Sequence, residues 1–450
     1  MKVTSSRQVF LQGDIAVLRD RNAIACQSCL WKKSSSGLVE VPYIISNTFN
    51  SLEKALLAAA MEEFSTLTCL RFINRTTEKD YLNIESKDGC WSYVGRLGGP
   101  QDVSLLKSRC LHHGVIQHEL VHSLGFEHEQ CRSDRDRYIR VIWRNIGQHK
   151  EMNFYKHKTR NLGVAYDYSS VMHYGKYAFA ANMGKPTLEP RANPKAMIGQ
   201  RFGLSALDVV KLNKLYQCRT CSFLLPESQG TFSSPNITSL DSSNSTCVWL
   251  IRTQEQKVLL EFEYVDIVAS PGCASNFIRV FDGQSPHSSL LLPSVCGQKP
   301  LPALVGSGNT LLIEWATSIY EGHSNFKAKY SSVTCGGSLV APQGNFSSPG
   351  FPVKYPNGEN CVWIISAPPG HMISLTIGPM ALELSAGCAY DYVLVRDEPY
   401  RVPAQEGRMC GRVSSRAFNS SDSSLRVQFR SDESVPSYGF LATYTFTPST

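Results

Sequence analysis

Residues 118 to 128 read H-E-L-V-H-S-L-G-F-E-H. His118 and His122 stand four residues apart, so on a helix their imidazoles project from one face, one turn apart, within reach of a single ion. Ile116, Leu120 and Leu124 repeat at the same interval on another face, which can bury the helix against a core. Gly125 permits a positive φ, so the helix is expected to end there and the chain to return with His128 arriving from a second direction. Three neutral ring nitrogens suit zinc and leave a position open for water. Zinc acidifies such a water and polarises a carbonyl, and Glu119, beside a ligand, is placed to take the proton and pass it to a leaving amine. The chemistry read here is hydrolysis of a peptide bond. The competing reading, an amphipathic helix with incidental histidines, needs five residue types to fall at fixed spacing by chance.

Downstream, Ser170-Val-Met-His-Tyr174 resembles the Met-turn of metzincins. With the run H-E-Q-C-R-S-D-R-D at 128–136 and Gly89-Cys-Trp-Ser-Tyr-Val-Gly95, it resembles the astacin family over residues 22–218. The resemblance implies a two-lobed α+β metzincin catalytic domain with its cleft between the lobes. It implies zinc on His118, His122 and His128, catalysis by Glu119, Met172 beneath the metal, and Tyr174 as an extra ligand that swings to the oxyanion. Core packing is the alternative for Met172 and Tyr174. The resemblance also implies disulfides Cys69–Cys218 and Cys90–Cys110. Before Cys69 lies an expected scaffold helix, with Asn50 as cap, Glu53 at N3, and Leu57, Ala60, Met61 and Phe64 on one face.

Upstream, Leu11-Gln-Gly-Asp-Ile15 resembles the family's inhibitory pro-segment, although Leu stands where the F-x-G-D pattern has Phe. The resemblance implies that Asp14 takes the zinc position that water needs in a latent form; a Gly-Asp turn on a tail is the alternative. Arg19-Asp-Arg21 before Asn22 offers a cut to a trypsin-like activating protease, and the family implies that the new amino terminus docks near Glu129. Cys26 and Cys29 form a C-x-x-C that suits redox chemistry, a second zinc or a short disulfide. No thioredoxin-like βαβ context or second pair accompanies it, so the disulfide is expected. Cys131 is then the odd thiol, unpaired or bridged to Cys26 or Cys29.

The C-terminal half repeats. Cys335, Cys361 and Cys410 follow Cys221, Cys247 and Cys296 by 114 residues, and Cys388 follows Cys273 by 115. Trp249 and Trp363 each follow a Cys-Val pair, and Phe326 and Tyr330 match Phe440 and Tyr444. Short alternating runs such as Val258–Tyr264 and Leu425–Phe429, bounded by Gly, Pro, Ser and Asn, read as antiparallel sheets packed face to face. The C-V-W, C-G and G-F-x-A-x-Y signatures resemble the CUB family. That implies two all-β sandwiches with pairs Cys221–Cys247, Cys273–Cys296, Cys335–Cys361 and Cys388–Cys410. Many CUB modules bind calcium through three acids, and position puts Glu383, Asp391 and Asp432 there in the second copy. The first copy has Val268, Asn276 and Ser318, so no calcium is expected in it. Three exposed acids with no ion are the alternative for the second.

The expected organisation is a partial pro-segment at 1–21, a catalytic domain at 22–218, and CUB modules at 221–332 and 335–446. At 450 residues the chain exceeds one ordinary core. Fifteen cysteines, with N-x-S/T triplets at Asn74, Asn236, Asn244, Asn345 and Asn419, fit an oxidising, extracellular compartment. Met1–Phe10 lacks the apolar run of a signal peptide, so a truncated precursor is expected. No stretch is long and apolar enough to span a membrane. The net charge of +7 is interleaved with acids, as in Arg132–Arg144, which reads as a solvated face and disfavours nucleic acid. The domain order is similar to that of amphibian hatching enzymes, which implies egg-envelope glycoproteins as substrates held through the CUB pair. A tolloid-like processor of matrix or growth-factor-related proteins is the rival in the same class. A non-catalytic adhesion protein is the rival in another.

Overall fold

The computed structural model describes residues 9–17, 29–235, 244–318, 324–398 and 408–449; Arg21, Asn22 and Cys26 lie outside these. By its contacts the chain divides into units Met1–Leu224 and Leu225–Thr450.

In the first unit the strands are β1 (Val9–Leu11), β2 (Ile15–Val17), β3 (Val39–Ile45), β4 (Leu70–Asn74), β5 (Tyr81–Glu85), β6 (Cys90–Ser92) and β7 (Pro100–Leu105). They form one sheet in the order β1-β2-β6-β7-β5-β3-β4. The long crossover from β3 to its parallel neighbour β4 is helix α1 (Ser51–Leu67), as parallel pairing requires. Asn50 and Glu53 close the expected capping box, Asn50 Oδ1 accepting from the Glu53 amide at 2.8 Å and Glu53 Oε2 from the Asn50 amide at 2.7 Å. Leu57, Ala60, Met61 and Phe64 are buried on one side of α1, where each large apolar side chain contributes roughly 1.5–3 kcal/mol. Against it lies α2 (His113–Ser123), which carries the first two histidines.

Beyond Gly125 the chain builds a second lobe with little regular structure. Among the described residues its one ladder pairs β8 (Ile139–Val141) with β9 (Leu188–Pro190), around a cluster of Ile139, Ile146, Phe154, Tyr166, Tyr174 and Leu188. Helix α3 (Ala206–Leu215) follows, capped by Ser205. Disulfides Cys69–Cys218 and Cys90–Cys110 form as expected, the first joining the start of β4 to the chain after α3. Cys29 is disulfide-bonded, whereas Cys131 is a buried free thiol and so the odd cysteine of the catalytic unit. The solvated-face reading of Arg132–Arg144 fails at its start. Arg132 and Arg135 are buried, Arg132 pairing with Glu129 and Asp134, and Arg135 donating to the carbonyls of Gln130 and Phe154. These contacts lie across folds of the loop, where no periodicity reports them.

The second unit holds both β-sandwiches. In the second copy, strand Asn360–Ser366 pairs with Ser424–Arg430, and that with Tyr392–Asp397; the facing sheet runs Gln343–Ser347, Gly439–Pro448, His371–Ala381. Trp363, Phe429, Phe440 and Tyr444 fill the space between. The first copy repeats this with Trp249, Trp315, Phe326 and Tyr330 buried. Cys273–Cys296, Cys335–Cys361 and Cys388–Cys410 pair as expected, and Cys221 and Cys247 are both disulfide-bonded. Val305 and Leu259 of the first copy bury against Val362 and Ile364 of the second, and Glu261 accepts from Arg426 at 2.9 Å.

Candidate metal centre

Helix α2 ends as its glycine demands. Leu124 caps it, Gly125 takes φ +103°, and the chain turns back so that His128 meets the two helical histidines. The rings of His118, His122 and His128 lie 4.7–5.1 Å apart, centre to centre, and all three are buried. His118 Nδ1 lies 2.8 Å from the Val171 carbonyl and His122 Nδ1 2.7 Å from the Phe126 carbonyl. A carbonyl only accepts, so each Nδ1 holds the proton and each Nε2 keeps its lone pair. His128 Nδ1 is fixed likewise by the side-chain oxygen of Gln12 at 2.7 Å. Nε2 of His118 and of His128 are 3.2 Å apart. Burial is the main cause holding the imidazoles of His118 and His122 below the usual range, which favours the neutral form a metal ligand needs.

Into this triangle the β1–β2 hairpin inserts its turn. Leu11 pairs with Ile15, and Ile15 lies beside Ser92 of β6, so the hairpin extends the sheet edge. Asp14 Oδ2 is 3.3 Å from His118 Nε2 and 3.2 Å from His128 Nε2, and Oδ1 is 3.8 Å from His122 Nε2. Burial raises the Asp14 carboxyl, but the nearby His128, His118 and His122 pull it well below the usual range. Gly13 carries φ +88°, and a Cβ there would stand 2.6 Å from the Phe179 ring. The turn therefore needs glycine on two counts.

The four side chains fit a metal. Their donor atoms lie within 4.8 Å of one another. His122 Nε2, Asp14 Oδ1 and Glu119 Oε2 are buried and have no hydrogen-bond partner among the described residues. Buried polar atoms are rarely left so, and a divalent ion with its water supplies what they lack. Burial, then Asp14, pushes the Glu119 carboxyl well above its usual value.

Tyr174 is buried beside His128, ring centres 4.5 Å apart, and its hydroxyl donates to the main-chain carbonyl of Gln12. Met172 is buried in the same turn. Glu129 Oε2 takes a bond from Lys211 at 2.7 Å, and Oε1 accepts from Arg132 at 3.1 Å and from the Asp167 amide at 2.8 Å.

Several functional side chains carry little signal in the sequence. Gln12 is buried, with its Nε2 3.4 Å from Glu127 Oε2. Asp208 pins the Met-turn by accepting from Ser170 Oγ at 2.6 Å and the Val171 amide at 2.8 Å. Gln130 Oε1 accepts from the Tyr174 amide at 2.9 Å. Only Asp208 leaves a trace, as N3 of the Ser205 capping box.

Glu383, Asp391 and Asp432 also converge in the second sandwich, with donor oxygens within 4.8 Å of one another. Asp391 is buried and accepts from Tyr355 Oη at 2.5 Å and the Asp432 amide at 2.8 Å. Glu383 Oε2 is buried without a partner among the described residues. In the first copy Asn276 takes this place, its Oδ1 accepting from the Ser318 amide at 2.8 Å.

Residues 27–217 match the Astacin peptidase family, and residues 221–330 and 335–444 each match the CUB domain. The chain is 42% identical to Embryonic protein UVS.2 of Xenopus laevis over 436 residues, 97% of this chain and 84% of that one. It is 43% identical to the Astacin-like metalloendopeptidase of Gallus gallus over 328 residues, 73% of this chain and 80% of that one. With High choriolytic enzyme 1 of Oryzias latipes it shares 48% identity over 214 residues, 47% of this chain and 79% of that one.

Proposed function

Because the chain belongs to the astacin family of zinc metalloendopeptidases, with two CUB domains behind the catalytic domain, we propose that it is exported and cleaves egg-envelope glycoproteins, which its CUB pair holds close. The observation that carries the catalytic reading is the convergence of three Nε2 atoms, each ring locked through Nδ1, beside the unpartnered carboxyl of Glu119. His118, His122 and His128 would hold the zinc. When bound, zinc supplies a Lewis acid that polarises the scissile carbonyl and acidifies water. Glu119 takes the proton from the attacking water and delivers it to the leaving amine; its burial, which raises its proton affinity, suits that shuttle. Tyr174 already donates to a peptide carbonyl at this centre, that of Gln12, and the same hydroxyl serves the oxyanion during turnover.

In the uncut chain Asp14 fills the centre and Gln12 occupies Tyr174 and His128, which supports a latent form released by a trypsin-like cut after Arg21. The new amino terminus at Asn22 would join Lys211 and Arg132 at Glu129.

The substrate is tested with isolated egg envelopes. Activated protein is expected to dissolve them and a zinc chelator to stop it. Intact envelopes, with matrix or growth-factor-related precursors cut instead, would shift the assignment to tolloid-like processing. Envelope binding without cleavage of any protein would leave an adhesion role.

Glu383, Asp391 and Asp432 are proposed to hold calcium in the second CUB domain. Burial and the two neighbouring carboxylates push the Glu383 carboxyl up, and a hard cation taking oxygen donors relieves that repulsion. At a hundredfold excess over Kd, calcium is expected to stabilise this module by about 2.7 kcal/mol. Melting curves with and without calcium should separate for the wild type and coincide for Asp391→Ala. A wild type indifferent to calcium would remove the site.

A further inference from the structure

The duplicated sandwiches differ where their equivalent sheets face outward. In the first copy, Leu259 pairs across strands with Val305 and with Ser331, and Glu261 with Lys329. In the second, the same ladder positions are Ser374 with Asn419 and Thr445, and Thr376 with Thr443. Val305 of the first copy therefore corresponds to Asn419, and Thr231, opposite Lys329, corresponds to Asn345, opposite Thr443.

The first copy's face is used. Leu259 and Val305 are 3% and 1% exposed, packed on Val362 and Ile364 of the next copy. Val305 exchanges two hydrogen bonds with Ser338, its amide donating at 2.9 Å and its carbonyl accepting at 3.2 Å. Lys257 donates to the Gly336 carbonyl at 2.7 Å. The second copy's face has lost the means to do this: its six equivalent positions are Ser374, Thr376, Thr443, Thr445, Asn345 and Asn419, without a charge or a large apolar group. Both asparagines are exposed, and both head N-x-S triplets, Asn345-Phe-Ser347 and Asn419-Ser-Ser421. No side-chain hydrogen bond ties either amide to the described residues. They stand on outer strands, each paired with one neighbour: Asn345 with Thr443, and Asn419 with Ser374.

We propose that Asn345 and Asn419 each carry an N-linked glycan on this outward face of the second sandwich. The inference rests on the proposed export, which brings the chain to the modifying machinery. The donor is an oligosaccharide on a polyprenyl diphosphate. The asparagine amide nitrogen forms the bond to the sugar's anomeric carbon as the sugar–phosphate bond breaks, and the released diphosphate keeps the electron pair and takes the amide proton. A branched sugar on Asn419 would stand at the position where Val305 of the first copy packs on the second.

The test uses the full, uncut chain made in a cell line that exports glycoproteins. Peptides spanning Asn345 and Asn419 are mapped by mass before and after a glycosidase that converts the glycosylated Asn to Asp. Both asparagines are expected to be converted. Asn345→Gln and Asn419→Gln should each lose one glycan's mass, and Ser347→Ala should lose the same glycan as Asn345→Gln. Either asparagine recovered unmodified throughout would overturn the assignment. Mapping is repeated on chain taken from the membrane fraction, so that failure of export counts against export and not against the glycans.

Discussion

Glu119→Gln in the activated protein is expected to lower kcat/KM on a peptide substrate by roughly 10³-fold, within the range general acid–base groups supply and equal to about 4 kcal/mol of barrier. Glutamine keeps the shape and the polarity of the side chain but binds no proton at neutral pH. Zinc content should remain at one ion per chain, because the three histidines are unchanged and His118 and His122 keep their orienting bonds to the carbonyls of Val171 and Phe126. The loss should appear in kcat, since the group acts on a proton in flight. A variant with wild-type turnover would exclude Glu119 as the base. A variant lacking zinc as well would show that its role is to hold the site.

The second large effect is expected at Asp14, and in the opposite direction. The carboxylate oxygen stands 3.2–3.3 Å from Nε2 of two of the histidines, in the place a metal-bound water must take, and a block of about 1.5–3 kcal/mol there corresponds to about 10–100-fold in rate. Asp14→Ala should therefore raise the activity of the uncut chain by about 10–100-fold. Arg21→Ala is added so that no trace of cleavage confuses the assay. After cleavage of a chain with Arg21 intact, Asp14→Ala and wild type should be indistinguishable, because the substituted residue has left. Gly13→Ala should act the same way more weakly, through the Phe179 ring and the positive φ. If Asp14→Ala/Arg21→Ala is as silent as Arg21→Ala alone, latency has another cause.

What could be read before the structure shares one property: it is written at fixed spacing. The i, i+4 histidines, the Asn50–Glu53 cap, the stop at Gly125 and the 114-residue repeat are local or periodic, so backbone geometry alone translates them. The unread part is joined only by the fold. Gln12 reaches His128 across 116 positions, and Glu261 reaches Arg426 across 165. Arg132 and Arg135 misled for the same reason: charge patterning reports composition, whereas their burial depends on carbonyls that the irregular second lobe turns inward. The three acids of the second sandwich were found by counting from a cysteine; that Asp391 would be buried with two donors on it was not visible.

The unpaired Cys131 is sealed inside the catalytic unit, its thiol donating to the Asn153 carbonyl at 3.7 Å and accepting from the Gln130 side-chain amide at 3.8 Å. Burial pushes its thiol far above the ordinary range, so the reactive thiolate is scarce while the lobe stays closed. It follows that alkylating reagents can date the opening of this lobe in the intact molecule. The labelling rate at this sulfur is a stopwatch for local unfolding, and it needs no introduced probe.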